Sequence, residues 1–70
     1  MANGTVKWFN ATKGYGFICP DDGDGNGDAF VHITEVERSG MGMLNEGQRI
    51  RFTALQQPRG LKAVDLMPGD

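Results

Sequence analysis

The sequence predicts an all-β domain, a small closed antiparallel barrel of five strands, and three observations lead there. Glycine is the main punctuation, with 11 among 70 residues, and no window keeps the apolar period of a helix. The segments between turn signals are short and rich in β-branched and aromatic residues. One connection is much longer than the rest, and five short strands with one long crossing connection are better closed than left as an open sheet with bare edges.

The first strand is read from Gly4 to Asn10 and the second from Gly14 to Cys19, where Pro20 removes a ladder donor and ends it. Ala29 to Thr34 is the third strand, with room for a single helical turn around Thr34 to Val36. The long connection, Glu35 to Gln48, contains Gly40, Gly42 and Gly47 and leads to a fourth strand, Arg49 to Leu55. QQPRG, Gln56 to Gly60, makes the turn into a fifth strand at Leu61 to Leu66, Pro58 pre-setting one dihedral. Strands in this order suit a barrel of the OB type. No repeat, linker or low-complexity stretch divides the chain, so residues 1–70 are expected to be one domain.

Composition narrows the classes. A chain this short buries only about 60% of the surface its unfolded form exposes, so its core is thin and exposed rings are costly. A hydrophobic content of 39% and a charged content of 23% are ordinary for a soluble domain. The apolar runs are too short to span a bilayer, and MANGTVKWFN lacks a secretory layout, so a cytoplasmic location is expected. A single cysteine, Cys19, excludes an internal disulfide and reads as a small strand residue with a free thiol. His32 is too isolated to complete a zinc site, and no metal or cofactor is expected.

Alternation sorts the faces. In the third strand Ala29, Val31 and Ile33 form an aliphatic set opposite Phe30 and His32, and in the fourth Ile50, Phe52 and Ala54 alternate with Arg49, Arg51 and Thr53. With Ile18 and Val31 inside, Tyr15, Phe17, Phe30 and His32 fall on the outside of two neighbouring strands, with Lys13 at their edge. The opposite assignment would expose Ile18 and bury His32 without an evident partner. The first strand resists the same test: strict alternation pairs Trp8 with Val6, so either both face inward or the strand bends between them.

An exposed patch of rings on a small domain marks a binding surface, and rings interleaved with lysines select a ligand that has both π faces and negative charge. Single-stranded nucleic acid fits, since each base stacked on a ring contributes roughly 1 to 3 kcal/mol whatever its identity. The net charge of −2 argues mildly against a partner held mainly through its phosphates. Five of the nine acids, Asp21, Asp22, Asp24, Asp28 and Glu35, cluster at or near one glycine-rich connection, whereas Lys7 and Lys13 adjoin the rings.

KWFN at Lys7 to Asn10, KGYGFI at Lys13 to Ile18 and FVHI at Phe30 to Ile33 resemble the signatures of bacterial cold-shock proteins, the last two being that family's ribonucleoprotein-type motifs. LNEGQ at Leu44 to Gln48 and PRG at Pro58 to Gly60 extend the likeness over nearly the whole chain. An RNA-recognition motif would need two helices for which this sequence has no period. The resemblance implies a single cold-shock domain, a monomer and not an enzyme, whose partners are single-stranded RNA and DNA and which prevents or melts weak RNA secondary structure, with roles in translation or transcription. It implies that Trp8, Tyr15, Phe17, Phe30 and His32 stack on bases, with Trp8 turned outward, and that Phe9 helps shape the patch. Lys7, Lys13 and Arg59 would meet the nucleic-acid backbone. Met41 stands where the family often has phenylalanine and would pack against a base, and Ile33 also replaces a phenylalanine of many members.

DGDGNGD, Asp22 to Asp28, is longer and more acidic than the family's usual connection and matches the first half of an EF-hand loop; the match fails at the twelfth position, which is Ile33. It reads as a solvated hairpin that repels phosphate. Two other classes compete. His32 and the carboxylates could form an acid/base pair, but the outward face lacks a concave pocket with a placed nucleophile, so no catalytic residue is assigned. Exposed aromatics also bind proline-rich peptides, which makes a protein-interaction module the alternative.

Overall fold

The computed structural model describes residues 1–22 and 27–69. Asp24 and Asn26, and with them most of the EF-hand half-match, lie outside the described residues. Five strands, β1 (Ala2–Asn10), β2 (Tyr15–Pro20), β3 (Ala29–His32), β4 (Arg49–Gln57) and β5 (Gly60–Pro68), close in the order β1-β2-β3-β5-β4, and one helix, α1 (Ile33–Ser39), follows β3. Four seams are antiparallel; the closing seam, β3 against β5, is parallel and pairs Ala29 with Leu61 and Phe30 with Lys62.

The inner face is aliphatic, as alternation requires. Val6, Ile18, Ala29, Val31, Ile50, Phe52 and Ala63 are all buried, and α1 and the long connection add Val36 and Leu44. Two expectations about this face are corrected. Ala54 is exposed, because β1 pairs with β4 only as far as Phe52, so beyond it β4 keeps β5 alone as its ladder neighbour and residues 54–59 all face solvent. Ile33 does not continue β3: its N–H donates to the Gly14 carbonyl at 2.9 Å and it opens α1, half-buried.

The helix runs longer than the single turn read from the sequence. Val36 is its buried anchor, His32 caps its start, and Gly40, at φ 79°, ends it with an N–H donated to the Glu37 carbonyl. Seven residues show too little of the 3.6-residue period to be recognised by it.

β1 explains the ambiguity of Val6 and Trp8. Val6 pairs with Ile18 and Trp8 with Phe17, so Lys7 is an extra residue, a bulge that turns Trp8 to the outer face while Val6 stays in the core. The long connection braces this bend from the other side, with Val6 N–H donating to Gln48 O at 2.9 Å and Gly47 N–H to Val6 O at 2.8 Å.

Candidate functional site

The bulge and the ladder register bring the outward rings together. Trp8, Phe17 and Phe30 are directly paired across β1, β2 and β3, and Tyr15 with His32 makes a second row beside them. Ring centroids are 5.3 Å apart for Trp8 and Phe17, 5.8 Å for Phe17 and Phe30, 5.7 Å for Tyr15 and Phe30 and 6.4 Å for Phe30 and His32. Most of these pairs are edge-to-face or tilted, an arrangement in which each ring holds its neighbour's orientation. None of the five is buried; Trp8 is 36% exposed.

His32 is held from below as well. Its Nδ1 accepts from the Thr34 N–H at 3.2 Å and lies 3.0 Å from Thr34 Oγ1. A backbone N–H can only donate, so in the neutral ring the proton sits on Nε2. The residue that ends β3 and caps α1 thus presents a fixed imidazole beside Phe30.

Phe9 and Met41 lie elsewhere. Phe9 pairs with buried Gly16 and packs half-buried against the core, making no ring contact with the five, and Met41 is half-buried against the same cluster. The bulge at Lys7 accounts for the first: sending Trp8 outward sends Phe9 inward.

The cations divide into two groups. Arg38 is ion-paired with Glu35 at 3.4 Å, and Arg49 binds both oxygens of Asp21 and also donates to Thr5 Oγ1 at 2.9 Å. That hydrogen-bonded guanidinium holds the Asp21 carboxyl below its ordinary pKa. Lys13 and Arg59, in contrast, have no acid partner among the described residues and are exposed, Lys13 at the turn before Tyr15 and Arg59 at the β4–β5 turn. Lys7 lies between these cases: its ammonium donates to Asp28 Oδ2 at 3.0 Å, and this contact raises its pKa.

Between the rings and the β4–β5 hairpin lies a cleft of about 550 Å³ lined by Phe17, Phe30, Gln57, Arg59 and Lys62 together with the turn backbone. Gln57 and Lys62 were not legible as site residues. Lys62 does stand as a polar residue between Leu61 and Ala63, which marks it as outward, but nothing in the sequence says that β5 closes against β3.

A family model described as 'Cold-shock' DNA-binding domain matches residues 2–68. The chain belongs to the cold-shock domain family. It is 52% identical over 64 residues to "Probable cold shock protein A" of Mycolicibacterium smegmatis, covering 91% of this chain and 92% of that one. Against "Probable cold shock protein y4cH" of Sinorhizobium fredii it is 55% identical, covering 89% and 87%. "Cold shock protein 1" of Lactiplantibacillus plantarum is 47% identical, covering 97% and 98%. The family is a nucleic-acid-binding one, and the closed barrel with one short helix is the all-β OB-type fold expected of a cold-shock domain. Among the described residues no helix is long and apolar enough to cross a membrane.

Proposed function

We propose that this cold-shock domain binds single-stranded RNA and DNA by stacking bases on Trp8, Tyr15, Phe17, Phe30 and His32, and that by holding unpaired strands it prevents or melts weak RNA secondary structure. It acts as a cytoplasmic monomer and a binding protein rather than an enzyme, in the service of translation or transcription. The observation that carries this reading is the continuous outer row of rings: a contiguous platform, supported edge-on and open to solvent, matches the repeating flat faces of an unpaired strand. A duplex hides those faces, so the platform discriminates by strandedness. Lys7, Lys13 and Arg59 border it and meet phosphates, while Phe9 supports it from the core side.

The test is titration of Trp8 fluorescence. A short oligothymidine is expected to quench it and a duplex of the same length to bind far more weakly. Phe17→Ala and Phe30→Ala should each cost about 1 to 3 kcal/mol of binding while leaving the circular dichroism spectrum intact. Comparable duplex binding would sink the reading, and quenching by a proline-rich peptide but not by the oligonucleotide would establish the peptide-binding module in its place.

A further inference from the structure

We propose that Lys62 is a specificity-determining residue of this platform. Its ammonium, in the cleft beside Phe30, donates to O6 of guanine or O4 of uracil or thymine when such a base stacks there, and so favours these keto bases over adenine and cytosine, which carry an exocyclic amine at that position. The proposal rests on the single-strand reading above.

Three observations converge on this residue. The register runs Trp8, Phe17, Phe30, Lys62 and Leu55 in one transverse line across all five strands, so Lys62 is the next outward residue after the last ring of its row. Neighbouring strands lie about 4.8 Å apart, which puts its stem within reach of a base on Phe30. Lys62 is half-buried in the cleft that Phe17 and Phe30 line, whereas Arg59 is exposed at its rim. Among the described residues it has no hydrogen-bond or ion-pair partner, so its donors are uncommitted.

Depth separates the roles of the two cations. A single strand that stacks its bases on rings offers their hydrogen-bonding edges to the protein and keeps its phosphates toward solvent. The rim cation therefore meets phosphate, and the deeper one meets the base edge. An ammonium has three donors and no acceptor. It gains from guanine O6 or uracil O4, and it gains nothing from the exocyclic amine that adenine and cytosine carry at the corresponding position.

The experiment uses seven-nucleotide cytidine strands whose central base is uracil, cytosine, guanine or adenine, titrated against the wild type and Lys62→Met, which keeps an unbranched apolar stem and removes the charge. The wild type is expected to bind the uracil strand about five- to tenfold more tightly than the all-cytosine strand, and guanine more tightly than adenine by a similar factor. Lys62→Met should erase both preferences and leave the cytosine and adenine strands nearly unchanged. If the substitution weakens all four strands equally and reduces the salt slope by about 0.7, Lys62 meets a phosphate and the proposal is wrong. Preferences that survive the substitution overturn it as well. Failure of the wild type to bind any of the four strands would remove the platform reading itself and this proposal with it.

Discussion

A methyl group on Gly16 would lie 2.7 Å from Phe9 Cα and 2.8 Å from Phe9 Cδ1, closer than carbon atoms approach without displacement. The nearest obstacles include backbone, so Gly16→Ala has to push β1 away from β2 at the level where Trp8 faces Phe17. Overpacking of this kind costs about 1 to 3 kcal/mol, and in a 70-residue domain each kcal/mol lowers Tm by roughly 4 to 8 °C. Thermal unfolding of Gly16→Ala should show that drop, and oligonucleotide affinity should fall too, because the ring spacing is set by the same strand pair. An unchanged Tm would mean that the two strands are not locked here. Alternation of side chains made Tyr15, Phe17, Phe30 and His32 legible as one outward set, since period two needs only local sequence. It could not place Trp8, because a one-residue bulge leaves no mark in composition and inverts every assignment beyond it.

β5 carries a second bulge that the sequence does not announce. Arg51 pairs with Met67 and Thr53 with Val64, so β5 has the extra residue, and Asp65 takes it up at φ 52°. A non-glycine residue in the left-handed region is held there at a cost, small for aspartate and larger for a β-branched side chain. Asp65→Gly is expected to be neutral or stabilising by up to ~1 kcal/mol, while Asp65→Val should destabilise by about 1 to 2 kcal/mol, as chemical denaturation can measure. Equal stability of the two variants would show that the bulge relaxes when substituted. The joint between β4, β1 and the end of β2 is electrostatic instead, with Arg49 spanning Thr5 and Asp21. Because Arg49 lowers the Asp21 pKa, the native state binds this proton less readily than the unfolded chain does. The contribution is complete above the ordinary aspartate value near ~4 and is lost as pH falls through the lowered native value. Asp21→Asn should therefore lower Tm at neutral pH and flatten its decline between about pH 5 and 2; a decline as steep as in the wild type would assign the acid sensitivity to other carboxylates.

The molecule as a whole turns on one seam that joins strands remote in sequence. The five strands and their order along the chain were legible because turn residues bound each of them, but the parallel closure of β3 on β5 depends on long-range pairing, and it alone brings the β4–β5 hairpin, Lys62 and Arg59 to the rings. Closure also sorts charge on a chain whose net charge is −2. Arg38 and Arg49 are tied to acids and Lys7 is held by Asp28, while Lys13, Arg59 and Lys62 at the platform, and Arg51 exposed on β4, have no acid partner among the described residues. Stacking rather than ion pairing should then dominate affinity. If Lys7, Lys13 and Arg59 each neutralise one phosphate, the slope of log K against log salt for a single strand is about −2, at 0.7 per contact. Raising salt from 50 to 200 mM would weaken binding by only about 20-fold, the fourfold change raised to that power. Asp28→Asn should release Lys7 from its pair and tighten binding at low salt, with a slightly steeper slope, because the ligand no longer displaces a carboxylate. A wild-type slope of about −5 or steeper would show that phosphates carry the affinity, since the cations bordering the rings are too few to produce it through stacking with local contacts alone.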